Sequence, residues 1–175
     1  MKFATFETAK ARRAGPSEPI ILFSVSNQLF AIAASVVQEI RSTDSLSGTA
    51  NEIDCPGVPK VGHTIERARQ TYYVVNAAKH FGLPVSRPTL VLILRQFRVA
   101  VLVDRIDRMT EISASYPLPS AFTGDEQHWY RGLTYVDDHV IPIVQPAGFL
   151  TSQDFRRLEE SARRELQPEL DGVQP

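Results

Sequence analysis

The sequence predicts a mainly β fold of the barrel or sandwich class, finished by one helix. Three observations carry that expectation. The longest apolar runs, Leu90–Leu94 and Val99–Val103, are strand-sized. Segments rich in Pro, Gly, Ser and Asp separate such runs, which gives roughly eight to ten short strands joined by turns. Helical periodicity is strong only near the C-terminus, in "LTSQDFRRLEESARREL".

Taken in order, residues 1–18 read as a polar tail ending in "GPSEP". "IILFSVSNQLFAIA" reads as a β-hairpin. Ile21, Phe23 and Val25 alternate on one face, and Phe30 and Ile32 resume the alternation after a Ser26-Asn27 turn. In "SVVQEIR", Ser35 and Gln38 have capping-box spacing, so a short helical turn with Val36, Val37 and Ile40 on one side is expected. Residues 42–70 carry weak periodicity and read as a long loop. "TYYVVNAA" returns to strand composition, and "KHFGLPVSRP" is a turn region. "TLVLIL" and "VAVLVD" are the strongest strands, joined by "RQFR" as a hairpin loop. After a proline-rich connection, "WYRGLTYVDDHVIPIV" forms a last hairpin with Asp137-Asp138 at its turn. The terminal helix places Phe155, Leu158, Ala162 and Leu166 on one stripe, with Thr151 as N-cap and Leu150 stapled to Phe155. Glu159–Arg163 and Glu160–Arg164 are spaced for i,i+4 pairs, and Pro168 ends the helix.

The composition excludes several function classes. Nineteen basic and 20 acidic residues leave a net charge of -1, so the basic field that holds nucleic acid is missing. Tyr72 and Tyr73 near Arg67 and Arg69 are the only features a single-strand binder would use. No run approaches the length of a membrane span, and the N-terminus lacks an apolar signal region. A single cysteine, Cys55, forms no internal disulfide. These features read as a cytoplasmic chain with no direct membrane insertion.

Catalytic signatures are also missing. His63, His80, His128 and His139 show no metal-ligand spacing, and no phosphate-binding glycine loop or serine elbow occurs. No cofactor is expected. Cys55 acting with a histidine is the one enzymatic alternative, against a plain packing role in its loop. Asp104, Arg105, Asp107 and Arg108 crowd five positions after a strand. Alternating signs of this kind form solvated ion pairs. The segment therefore reads as a charged strand exit, anchored by Ile106, Met109 and Ile112, beside a surface for protein partners.

Over residues 19–150 the order of these pieces resembles CheW-like domains, the adaptor modules of bacterial chemosensory arrays. "IILFSVSNQLFAIAASVVQEIR" is similar to the family's opening hairpin and its V-x-E-I segment, here Val37, Gln38, Glu39, Ile40 and Arg41. "VVNAAKHFGLP" resembles its strand into a D-L-x-x-x-F-G-L-P turn, with Asn76 at the aspartate position. "VAVLVDRIDRMTEIS" resembles its V-D-x-V strand, and "WYRGLTYVDDHVIPIV" its final hairpin, with Gly132 at the usual glycine. The resemblance implies two intertwined, SH3-like five-stranded β-subdomains around a common core. It implies no catalysis and no cofactor. It implies two partners, the regulatory domain of a CheA-type histidine kinase and the cytoplasmic tip of a chemoreceptor. Protein-binding residues carried over or adjoining are Val37, Glu39, Ile40, Arg41, Arg67, Ala68, Arg69, Arg105 and Gly132. The segment before "VVNAA" departs from the family's G-x-x-N-L-R-G. Arg67 replaces its leucine, Ala68 its arginine and Arg69 its final glycine, where a tight turn is expected. "VQPAGFL" likewise replaces an aspartate-leucine near the end. The altered segment favours, as an alternative, an adaptor of a pilus or surface-motility pathway with a non-standard receptor. Residues 151–168 are then the appended helix and 169–175 a frayed tail.

Overall fold

Type I′ turns fix much of the register. In the computed structural model, which describes residues 16–166, β1 (Glu18–Val25) and β2 (Gln28–Ala33) meet through Ser26 and Asn27, at φ 49° and 65°. Two residues at positive φ match the twist of paired strands, and asparagine tolerates that conformation well. Residues 1–15 of the expected tail and the frayed end after Pro168 lie outside the described residues, and Glu18, at the expected end of the tail, already opens β1.

The expected helical turn in "SVVQEIR" is corrected. A 3-10 turn spans Ala34–Val36 with no side-chain cap, and β3 (Val37–Ser42) follows. β-branched Val37 and Ile40 favour the extended form, and pairing with a neighbouring strand satisfies the backbone. The long loop expected over 42–70 is corrected too. It contains a 3-10 turn at Thr43–Leu46, β4 (Ala50–Glu52) and β5 (Val61–Arg67). A bulge between Val61 and His63 breaks the period-2 pattern, which hides this strand from a sequence reading.

β6 (Gln70–Asn76) leads into α1 (Ala77–His80), capped by the Asn76 side chain, which accepts from the Lys79 N–H at 3.1 Å. β7 (Leu90–Leu94) and β8 (Val99–Val103) form the expected hairpin. The charged strand exit is corrected: after Asp104 the chain forms a full strand, β9 (Arg105–Ile112), paired with β1. α2 (Glu126–Trp129) precedes β10 (Tyr130–Val136), and Asp137-Asp138 turn it into β11 (His139–Val144). α3 (Ser152–Glu165) starts with a capping box between Thr151 and Asp154.

The eleven strands among the described residues exceed the eight to ten expected, and they form two sheets. The first runs β10-β11-β2-β1-β9; the second runs β3-β7-β8-β6-β5-β4, six strands rather than five because β4 joins its edge. The chain enters the first sheet, builds the second, and returns to complete the first.

Each sheet has its own small core, and a larger one lies between them. Ile20, Leu22, Ala31, Ile112, Ile141 and Ile143 pack inside the first. Ile65, Tyr72, Val74, Val91, Ile93 and Ala100 pack inside the second. The opposite faces of β1, β7 and β8, including Ile21, Phe23, Leu92, Leu94, Val101 and Val103, meet in the shared core. Strands covered on both faces need continuous apolar runs, which is why "IILF", "LVLIL" and "VAVLV" show so little polar alternation. Stacked rings cross the junction: Phe30 lies 4.4 Å from Phe81, which lies 5.7 Å from Tyr130.

Candidate protein-binding site

A bulge in β3 sorts the residues of "VQEIR". Val37 is opposite Leu94, but Glu39 is already opposite Ile93. The extra residue turns Val37 toward the shared core, where it is buried, and puts Glu39 and Arg41 together on the other face. Ile40 lies opposite Leu92 and stays 39% exposed.

The second sheet curls until β5 returns to β3. Arg67, at the end of β5, and Arg41 both donate to the Glu39 carboxylate, Arg67 through Nη2 and Arg41 through Nε. The hydrogen bond from Arg41, with that from Arg67, holds the Glu39 carboxyl below the usual carboxylate range. The cluster carries one net positive charge and is open to solvent. Each arginine makes a single contact, to a different oxygen of the carboxylate, and such part-exposed pairs add little stability. The three side chains form a charged patch on the strand face opposite Ile40.

Ala68 and Arg69 extend the patch through the β5–β6 turn. The conflict expected between Arg69 and a tight turn is resolved at a cost: Ala68 and Arg69 both adopt left-handed backbone, at φ 49° and 62°. That conformation disfavours residues with a Cβ. Arg69→Gly is expected to raise stability by about 0.5–1 kcal/mol, as a shift of the urea midpoint, since strain relief exceeds the added freedom of the unfolded chain.

Arg105 and Gly132 stand apart from this patch, on the first sheet. Arg105 is exposed at the start of β9. Gly132 is buried in β10, and a Cβ there would come within 2.5 Å of the Tyr116 carbonyl oxygen. Its position is set by close backbone approach.

Asp104 is a brace. Its Oδ2 accepts from the Ser26 N–H at 2.7 Å, while its backbone N–H donates to the Ser24 carbonyl at 3.0 Å. The residue thus ties the β1–β2 turn to the crossing from the second sheet back to the first. Arg108 pairs with Asp137 across the first sheet. No group of three or more His, Cys, Asp or Glu side chains that could hold a metal occurs among the described residues. Cys55 is buried in the shared core, facing α3.

The sequence reading missed the surroundings of His80. This side chain is buried, with ring centroids of Phe81, Trp129 and Phe149 at 4.9–5.0 Å. Lys60 Nζ lies 3.4 Å from its Nδ1 and 3.5 Å from Asp154 Oδ2. A lysine ammonium only donates, so Nδ1 accepts and the ring proton sits on Nε2. Burial first, then the Lys60 charge, pushes the imidazole down to about 3. A histidine between "AAK" and "FG" offered no periodic or motif signal for this.

The geometry is therefore a two-sheet β body without a metal cluster among its described residues, bearing a charged patch at one sheet. No helix of the described residues is long and apolar enough to cross a membrane. No curated protein matches the sequence. The fold is similar to the crystal structure of the scaffolding protein TtCheW from Thermoanaerobacter tengcongensis, with a TM-score of 0.63 and 18% identity over 78% of this chain and 94% of that one. The family model described as the CheW-like domain matches residues 19–154. That match spans most of the chain, and the protein belongs to the CheW-like domain family.

Proposed function

We propose that this protein is a non-catalytic adaptor that couples a CheA-type histidine kinase to chemoreceptors from the cytoplasmic side. Family membership supports a chemotaxis scaffold. The observation that carries the finer reading is the convergence of Glu39, Arg41 and Arg67, from two separated segments, into one solvent-reached charged patch. A charged cluster assembled from two strands suits specific, electrostatically steered protein recognition.

The test is a calorimetric titration of the full chain against the regulatory domain of a co-occurring kinase. One-to-one saturation is expected, weakened about tenfold, or about 1.4 kcal/mol, by Arg41→Glu or Arg105→Glu. No heat and no co-elution at high micromolar concentration would sink the kinase-coupling reading.

The turn Arg67-Ala68-Arg69-Gln70 favours a second reading, an adaptor in a pilus or surface-motility chemosensory pathway. Two arginines and a left-handed alanine there present a different charge and shape from the expected leucine, arginine and glycine. Capture of receptor cytoplasmic tips from such a pathway, in preference to those of flagellar receptors, would distinguish it.

A further inference from the structure

α3 is joined covalently to the first sheet but packs on the second. It follows β11 after only Gln145–Thr151, and then crosses to the segment between β4 and β5. Its apolar hold is slim. Leu158 is fully buried, Phe155 and Ala162 are half-buried, and Leu166 is 85% exposed. A 14-residue helix with so little burial has little reason to persist away from its seat.

Polar contacts supply the rest of the hold. Arg157 Nη1 donates to the Gly57 carbonyl at 3.2 Å, and the Ser161 hydroxyl donates to the Asp54 carbonyl at 2.9 Å. Arg98 is the central pin. It ion-pairs with Glu159 at 3.1 Å, so the expected Glu159–Arg163 pairing is replaced by a contact to the sheet. The Arg98 guanidinium also lies 5.7 Å from the Tyr73 ring centroid and 5.3 Å from that of Phe155. Tyr73 and Phe155 meet edge to face at 5.7 Å. Arg98 holds this position from a left-handed backbone, at φ 48°. Beneath the helix, Ile53, Cys55 and Val58 belong to the shared core, and Cys55 faces Arg157, Glu160 and Ser161. The family match ends at residue 154, before the first apolar contact of the helix.

We propose that α3 is a clasp with its own opening equilibrium, distinct from unfolding of the β body, pinned by Arg98 and covering an apolar seat on the second sheet. Opening frees the link between the sheets and exposes Cys55. Segments held by few buried apolar side chains open below the free energy of global unfolding.

The sole cysteine of the sequence makes the test direct. The full chain is labelled at Cys55 with a thiol reagent across a series of low urea concentrations, alongside its global unfolding curve. The clasp predicts labelling with a shallow urea dependence. It also predicts that Glu159→Lys accelerates labelling about fivefold while keeping that shallow urea dependence, because the lost pin holds the closed state alone. Arg156→Glu, at an exposed position with none of these contacts, should leave the rate unchanged. Labelling with the full urea dependence of global unfolding, or an equal rate in Glu159→Lys and the unaltered chain, would overturn the proposal.

Discussion

Gly132→Ala should lower stability by about 2–3 kcal/mol, seen as a fall in the urea midpoint with little change in slope. The methyl carbon would come within 2.5 Å of the Tyr116 carbonyl oxygen, a backbone atom with no side-chain freedom to yield. That oxygen accepts from the Leu133 N–H at 2.8 Å, and the Tyr116 N–H donates to the Leu133 carbonyl at 2.8 Å. Moving Tyr116 away therefore breaks the bridge that fastens the proline-rich connection to β10. The Thr134 hydroxyl bond to the Ala114 carbonyl, at 2.9 Å, lies on the same contact and should weaken with it. The family resemblance implies a protein-binding position at Gly132. The structure gives it a packing role, and the two are separable. A packing role predicts that a kinase titration below the unfolding transition gives unchanged affinity for Gly132→Ala. A direct contact predicts lost affinity in a chain that is still folded.

The patch on the second sheet and the packing of the first are linked through the shared core. Asp104, the stacked rings of Phe30, Phe81 and Tyr130, and α3 all join one sheet to the other. These links fix the orientation of the patch relative to the first sheet, and a binding face is only as well placed as the body behind it. The ring stack lies at the centre of that body. Asp104 and α3 act nearer its surface, where local opening is easiest.

Much of this was legible in the sequence because local chemistry and final packing agree. Asn27, Asp137 and Asp138 are residues that accept positive φ, so two hairpins could be placed from the turn alone. Thr151 and Asp154 form the capping box that fixes the start of α3. Other parts were hidden by features with no sequence period. The bulges at Val37/Glu39 and Val61/His63 each insert a residue, which scrambles alternation at the strands that build the patch. Ser35 and Gln38 matched a helix start, yet pairing with β7 overrode that local signal. The pairing of Glu39 with Arg67 depends on the curl of the whole second sheet, so no window of neighbouring residues contains it.

Acid should destabilise this protein from about pH 6.5 downward, well before most carboxylates titrate, and His80 should be the cause. Folded, its imidazole is held down to about 3, by burial among Phe81, Trp129 and Phe149 and by the nearby Lys60 charge; Asp154 acts in the opposite sense. Unfolded, it titrates near its ordinary 6.5. Between those values the unfolded chain binds the extra proton, so stability is fully present above 6.5 and falls as pH drops toward 3. One proton sets a limiting slope of about 1.4 kcal/mol per pH unit. The upper part of this window, from 6.5 to about 5.5, isolates the effect, since the lowered Glu39 carboxyl costs stability only as pH falls toward its ordinary 4.5 and below. Unfolding free energies from urea curves at pH 7.5, 6.5, 5.5 and 4.5 should therefore decline by about 1 kcal/mol per pH unit below 6.5. In His80→Asn, whose side-chain oxygen can still accept from Lys60, the starting stability drops but this slope should largely vanish. Equal slopes in the two proteins would mean that the acid sensitivity lies elsewhere. A flat profile in both would mean that the histidine is solvated well enough to protonate in the folded state, and that the ring cluster at the junction is looser than its geometry indicates.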